Sequence, residues 1–266
     1  MRIRFWGVRG SVPYSTPGSI EHGCNTPCLE IADEDTQRRL ILDAGTGLVG
    51  VGDTLAGAAD IPIVLTHYHW DHVQGLPFFA PLYRTGVSVT VWTPILGPAS
   101  PDIEAMFRSP FFPIPYDQLP SRPAIKESTG EQADINGFTV TAQALNHPGG
   151  AFAYRVRGSK GDLVYVTDHE FGNADIDLAL AHFAVGAQAL VLDAHFTPVE
   201  MTARKGWGHS DWAQCARFAA DCGAKQLWLF HHKPGRPDGE IKQIETDART
   251  VFPATRAARE GQEFTV

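Results

Sequence analysis

The chain has 266 residues, 43% of them hydrophobic and 20% charged, with a formal net charge of −8. That is the composition of a globular protein with a sizeable core. It contains no run of about 18 apolar residues that could span a membrane, and its acidic balance argues against a broad nucleic-acid-binding surface.

The N-terminal stretch MRIRFWGVRGS lacks the apolar centre of a secretory leader, and the alternation of Ile3 and Phe5 with Arg2 and Arg4 reads as a strand. Further strands are expected at 27–32, 39–43, 61–66, 87–92, 138–145, 151–156, 163–167, 189–193 and 226–230. Helical periodicity falls near 47–56, 73–80, 175–185, 210–221 and 239–250. Several strands are apolar almost throughout, as in sheets covered on both faces. The mixture predicts an α/β architecture of two packed sheets with helices outside. No linker or shift of composition divides the chain, so one domain over 1–266 is expected. Cys24, Cys28, Cys215 and Cys222 show no CxxC spacing and are expected to be reduced thiols of a cytoplasmic protein. Residues 97–123 carry seven prolines together with Phe107, Phe111, Phe112 and Tyr116. Proline cannot serve inside a sheet, so this insertion is expected to be a lid over a site or an oligomer contact, with a homodimer as one outcome.

The chemistry concentrates at strand ends. In THYHWDH, His67 and His69 are two residues apart in an extended segment and project to the same side, and Asp71 and His72 follow where the chain turns into a helix. His147 stands just past the strand that ends in QALN, Asp168 ends VYVT, and His231 and His232 end LWLF. Imidazole nitrogens and carboxylate oxygens in this mixture suit zinc, with manganese or iron admitted.

This constellation resembles the metallo-β-lactamase superfamily, whose fold is a four-layer αββα sandwich with a binuclear site at one edge of the sheets. The resemblance implies that His67, His69 and His147 hold one divalent ion, that Asp71, His72 and His231 hold a second, and that Asp168 bridges them. His231 fits the last position better than His232. Asp43, ending LILDAGTG, is a candidate orienter of a ligand or a turn-capping residue. The stretches FWGVRGSVP, GCNTPCLEI and GWGHSDW, with Asp168 as bridge, resemble the branch that contains tRNA 3′-processing endonucleases and smaller phosphodiesterases, and the set GVRGS, LDAGTG, NHPGG and GWGHS is most similar to bacterial cyclic-nucleotide phosphodiesterase-like proteins.

The resemblance therefore implies a metal-dependent hydrolase that cleaves phosphodiesters, with small or cyclic nucleotides expected, by attack of a metal-bound hydroxide. Two ions with Asp71, Asp168 and hydroxide leave a core near +1, which favours a small anionic substrate over a long nucleic acid. His209, in GWGHS, is a candidate catalytic acid beside the N-terminus of a helix capped by Ser210, and Asp71 is a second candidate for proton transfer. Arg9 and Asn25 are candidate substrate contacts, in competition with a buried ion pair and a turn. His169 and His195 each follow an acidic strand end, Asp168 and Asp193, and are candidates for lining the site, with a packed or exposed side chain the favoured reading. A lactone or other ester hydrolase, a tRNA 3′-processing-type endonuclease and a metal- or nucleotide-binding sensor are the alternatives.

Overall fold

The computed structural model describes residues 1–33, 35–55, 60–97, 102–128, 130–159 and 161–266. Within them the strands are β1 (Arg2–Gly7), β2 (Cys28–Asp33), β3 (Arg38–Leu42), β4 (Asp60–Val64), β5 (Ser88–Pro94), β6 (Ala124–Ser128), β7 (Ala133–Ile135), β8 (Phe138–Ala144), β9 (Phe152–Arg157), β10 (Asp162–Val166), β11 (Ala189–Asp193), β12 (Leu227–Phe230), β13 (Thr255–Ala257) and β14 (Glu263–Thr265). They form two seven-stranded mixed sheets, ordered β14-β1-β2-β3-β4-β5-β6 and β13-β12-β11-β10-β9-β8-β7. In the first, β3 to β6 run parallel; in the second, β10 to β13 do. The helices are α1 (Gly47–Thr54), α2 (Trp70–Val73), α3 (Ala174–Ala184), α4 (Pro198–Met201), α5 (Trp212–Asp221) and α6 (Asp238–Val251).

The expected αββα sandwich is present, and its three apolar layers explain why the strands sit as they do. Between the sheets, Ile3, Phe5, Leu40 and Leu42 meet Tyr154, Tyr165, Trp228 and Phe230. Outside the second sheet, Val164, Leu190 and Leu229 bury against Leu180 of α3, Ala216 of α5 and Ile244 of α6. Outside the first, Ile41, Ile63 and Val91 bury against Leu48 and Val51 of α1 and a set of irregular turns. Because β10, β11 and β12 are covered on both faces, every residue in them is buried.

The ten expected strands lie within two residues of their anticipated bounds. The helix expected at 73–80 is instead the short α2 followed by 3₁₀ turns at Leu76–Phe78 and Ala80–Tyr83. Pro77 and Pro81 have no amide hydrogen to extend an α-helix. Asp211, not Ser210, caps α5: its carboxylate accepts from Ala213 and Gln214 amides while Gln214 returns a bond, and the Ser210 hydroxyl donates to the His169 carbonyl. All four cysteines are free thiols.

Of the 97–123 insertion, residues 98–101 lie outside the described residues. Ile103, Phe107 and Leu119 are buried on the outer face of the first sheet, Tyr116 packs edge-on to Phe107 at 5.4 Å, and Phe111 is 85% exposed. Most of the aromatic content thus anchors the segment to the core. Among the described residues no helix is long and apolar enough to cross a membrane.

Leu40 is fully buried between the sheets, whereas Val199 is 81% exposed. Leu40→Ala should lower unfolding free energy by about 2–5 kcal/mol, and Val199→Ala by less than about 0.5 kcal/mol, in equilibrium denaturation. Equal losses would mean that the inter-sheet layer does not dominate stability.

Candidate metal centre

Parallel strands place their carboxyl ends along one edge. β3 delivers Asp43, β4 delivers Thr66 and His67, β10 delivers Thr167 and Asp168, β11 ends on Asp193, and β12 delivers His231. The two sheets present these ends at the same rim of the sandwich, the usual place for ligands in sheets of parallel strands. Asp43, Asp168 and His231 all adopt left-handed backbone angles, with φ of 62°, 58° and 58°. A strand that turns so abruptly aims its last side chain across the rim rather than along the sheet, at a cost in backbone strain that marks functional positions.

Three sets of residues bring ligand atoms within 4.8 Å of one another: His67, His69, His147 and Asp168; Asp71, His72 and His231; and Asp193, His195, His209 and His231. Asp168 stands between the first two. Its Oδ1 lies 3.9 Å from His67 Nε2 and 3.8 Å from His147 Nε2. Its Oδ2 lies 3.1 Å from His72 Nε2 and 3.3 Å from His231 Nε2. His69 Nδ1 and His147 Nε2 converge to 3.1 Å, and Asp71 Oδ2 is 3.1 Å from His231 Nε2. All seven residues expected at a metal site are therefore gathered, in the two expected sets. His232 is turned away: its Nε2 donates to the Ala258 carbonyl at 2.9 Å.

The hydrogen bonds behind the rings fix which nitrogen faces inward. His72 Nδ1 donates to Asp43 Oδ2 at 2.9 Å, and His147 Nδ1 donates to the Gly208 carbonyl at 2.9 Å. His67 Nδ1 donates to Thr66 Oγ1 at 3.0 Å, and that hydroxyl passes its proton to Asp43 Oδ1 at 2.9 Å. In each ring Nε2 is left as the inward lone pair, the arrangement that metal-binding histidines need. Consistently, the Nε2 atoms of His67 and His72 are buried without a hydrogen-bond partner, which would be costly unless another group satisfies them. Burial pushes His67 well below the ordinary imidazole range and lowers His69 and His147 as well, so these rings carry the neutral form that a cation requires. Burial works against ionisation of Asp168, but the imidazoles of His231, His72 and His67 outweigh it and hold the carboxyl well below its usual range. The donors fit a pair of divalent cations in type and arrangement; burial opposes charge on His72, but the carboxylates of Asp71, Asp168 and Asp43 around it outweigh that and push it well above the ordinary imidazole range, a proton that a cation at Nε2 would displace.

Two glycines make room. A Cβ on Gly10 would come within 2.6 Å of His231 Nδ1, and one on Gly208 within 2.2 Å of His147 Nδ1. Gly208 also has a positive φ, which only glycine adopts freely. Its loop is clamped by Glu170, whose carboxylate accepts from Gly206 and Gly208 amides at 2.7 Å.

His209 faces the cluster from a third side. Its Nδ1 donates to Asp193 Oδ2 at 2.7 Å. Burial opposes the charge on His209, yet Asp193 overcomes it and the imidazolium is pushed up to about 9. His195 stacks on His209 with centroids 4.4 Å apart and donates through Nδ1 to the His231 carbonyl. Asp193, Thr66, Tyr165 and Glu170 were not expected at the site; His195 was admitted there only as the less favoured reading, on the signal of an acidic strand end followed two residues later by histidine.

Two expectations are corrected. Arg9 is fully buried, and its guanidinium is taken up by the competing structural role: Nε donates to the Gly23 carbonyl at 2.8 Å, Nη1 to the Arg236 carbonyl at 2.8 Å, and Nη2 lies 3.8 Å from Asp238. It ties β1 to the loop after β12 and offers no clamp for phosphate. Asn25 is likewise structural: its Nδ2 donates to Glu260 at 3.1 Å, and its carbonyl accepts from the Val8 and Arg9 amides.

Two clefts open on the cluster and share Tyr68 and His69. One, of about 400 Å³, is lined by Ser11, Trp70, Asp71, Asp168 and His209. The other, of about 240 Å³, reaches Leu96, Pro148 and Gly150.

Comparison with known proteins agrees with this architecture. The profile of the beta-lactamase superfamily domain matches residues 38–232. A ribonuclease Z of Bradyrhizobium sp. (strain ORS 278) is 26% identical over 316 aligned positions, covering 98% of this chain and 98% of that protein. The metallo-beta-lactamase fold protein YhfI of Bacillus subtilis superposes with a TM-score of 0.77 at 18% identity, over 99% of each chain. A diphosphatase from the PhnP family superposes with a TM-score of 0.69 at 19% identity, over 99% of this chain and 97% of that one. Since the family profile spans well over half of the sequence, the chain belongs to the metallo-β-lactamase superfamily of metal-dependent hydrolases.

Proposed function

We propose that this protein is a dinuclear phosphodiesterase acting on small, nucleotide-like phosphodiesters. The observation that carries the reading is the division of Asp168, with one carboxylate oxygen facing His67 and His147 and the other facing His72 and His231. A carboxylate shared in this way suits two cations, held by His67, His69 and His147 on one side and by Asp71, His72 and His231 on the other. Such a pair, when bound, would supply Lewis acidity, a nucleophilic water near neutral pH and charge neutralisation for the oxygens of a phosphoryl group.

The chain's own residues do the rest. Asp43 and Thr66 hold the His67 and His72 rings in register, and Gly208 holds His147. Asp71 Oδ2 is fixed by the Ser11 amide at 2.6 Å. His209 Nδ1 is committed to Asp193, which leaves Nε2 to hand its proton to the leaving oxygen; Asp193 stabilises the charged ring and limits its rotation. The walls of the cleft keep the ester over the cluster.

Phosphodiester chemistry is supported by the relatives named for ribonuclease and diphosphatase activity. A small substrate is supported by the cleft of about 400 Å³, within the range of small-molecule sites, and by the net charge of −8, which disfavours the many phosphate contacts that long nucleic acid requires. The ribonuclease Z relatives favour a second reading, an RNA substrate with the same chemistry.

Elemental analysis after metal replenishment should find close to two divalent ions per chain, zinc foremost. Asp168→Ala should lose metal and turnover together; one ion or fewer in the wild type would contradict the dinuclear reading. His209→Ala should keep both ions and lower kcat by roughly 10²–10⁴-fold. Metal loss there would mean that His209 is a ligand. His231→Ala should lose metal and His232→Ala should not. In a panel at matched metal and pH, 2′,3′- and 3′,5′-cyclic nucleotides and bis-p-nitrophenyl phosphate should be cleaved with higher kcat/KM than β-lactams, acyl-homoserine lactones or thioesters. A lactone preferred tenfold over every phosphodiester would overturn the assignment, and precursor tRNA as the best substrate would favour the second reading.

A further inference from the structure

The chain has six tryptophans, and five of them are occupied. Trp6 donates Nε1 to Glu30 at 2.9 Å and lies under the Arg4 guanidinium. Trp92 carries Lys126 over its ring. Trp207, although 61% exposed, meets the Phe196 ring edge-on at 6.5 Å and carries the Arg204 guanidinium at 5.8 Å from its ring. Trp212 packs on the apolar layer outside the second sheet, and Trp228 stacks on Phe264 at 4.3 Å. Trp70 differs. It is 69% exposed, and among the described residues no ring, cation or acceptor is paired with its indole.

Its position is not that of an incidental surface residue. Trp70 opens α2, directly after His69 and directly before Asp71, so the residues on either side of it form the floor of the cluster. The cleft of about 400 Å³ is lined by Trp70 together with Asp71, Asp168 and His209. Backbone freedom there is small, because the His72 amide donates to the His69 carbonyl and the Gln74 amide to the Trp70 carbonyl. A large flat apolar surface is thus held, exposed, at the mouth of the cleft over the His/Asp cluster. The ring shares its cleft with Asp71, Asp168 and His209, and a π-face beside a phosphate site is what a nucleobase stacks on.

We infer that Trp70 is a specificity-determining residue: its indole stacks on the base of a nucleoside phosphodiester whose phosphate lies over the His/Asp cluster. The inference rests on the phosphodiesterase reading and narrows it to substrates that carry a base. It also moves base recognition away from the proline-rich insertion, whose Phe107 and Tyr116 are committed to the core. Phe111, at 85% exposure, is the competing platform in that segment.

The test is calorimetric binding to the zinc-replenished protein of two ligands with a common phosphate and sugar, adenosine 5′-monophosphate and ribose 5-phosphate. Wild type should bind the adenosine compound roughly 10–100-fold more tightly, the range that loss of one base–aromatic stack implies. Trp70→Ala should bring the ratio of dissociation constants close to one, Trp70→Phe should retain most of it, and Phe111→Ala should leave it at the wild-type value. In parallel, the ratio of kcat/KM for 2′,3′-cyclic AMP over glycerol 1,2-cyclic phosphate should fall at least tenfold in Trp70→Ala. A binding ratio untouched by Trp70→Ala, collapse of that ratio in Phe111→Ala, or binding of neither ligand would each overturn the inference. Trp70-dependent binding in a protein that cleaves no phosphodiester would defeat the proposed function while leaving base recognition standing. Cleavage without any base preference would do the reverse.

Discussion

The carboxylate of Asp43 holds the site together. It is fully buried and accepts four hydrogen bonds: from the Thr66 amide at 2.8 Å, the Thr66 hydroxyl at 2.9 Å, His72 Nδ1 at 2.9 Å and the Tyr165 hydroxyl at 2.9 Å. An ionised carboxylate without partners at this depth would cost many kcal/mol, so the four donors must stay where they are. Two of them come from the loop after β4, one from α2 and one from β10 of the opposite sheet. The same charge that pins the sheets to each other therefore sets the rotation of His72 directly and of His67 through Thr66. Fold stability and ligand geometry depend on one group, and removing it would disturb both.

Around this pin the chain accepts local strain. Asp43, Asp168 and His231 sit in the left-handed region, which costs of order 1–3 kcal/mol for a side-chain-bearing residue. Asp tolerates that region better than His. The compensation is visible in each case. Asp43 gains its four donors, Asp168 gains the Thr167 hydroxyl at 2.5 Å and the surrounding imidazoles, and the His231 carbonyl gains His195 Nδ1 at 3.0 Å. β10 and β12, which lead into Asp168 and His231, are buried along their whole length, and β3 is buried over the three residues before Asp43, so strain at these ends is borne without loss of register.

The interior strands were legible because long apolar runs have few places to go except a covered sheet. The edge strands β6, β7, β13 and β14 were not; they are short and carry polar residues such as Lys126, Asp134, Arg256 and Glu263, and only pairing with a neighbour makes them strands. The residues at the cluster were legible for a chemical reason: histidine and aspartate recur at the ends of apolar strands where nothing in packing asks for them. Arg9 and Asn25 show the limit of that logic. Their motif sits close to the site in sequence, but a side chain's partners depend on what the fold lays over it, and the loops around Gly23, Arg236 and Glu260 arrive from distant parts of the chain. Asp193 failed in the opposite sense, since a single aspartate ending a buried strand is unremarkable until His209 is brought to 2.7 Å from it.

The cluster itself discriminates little between esters. Imidazoles and carboxylates around a pair of cations will polarise many oxygens. Discrimination has to come from the walls, and the walls here are unlike one another. The cleft toward Pro148 and Gly150 adds to His67, Tyr68 and His69 only Leu96, Gly97 and Gly149, none of which carries a charge or a proton to donate from its side chain. The cleft toward Ser11 has a proton donor in His209 and an indole in Trp70. On the phosphodiesterase reading proposed above, a substrate over the cluster would have asymmetric surroundings, with its leaving oxygen best served next to His209 and a base on that side against Trp70. His209 and Trp70 line one cleft, so on that reading the half of the substrate that carries the base would also be the half that is protonated, and specificity would be tied to turnover.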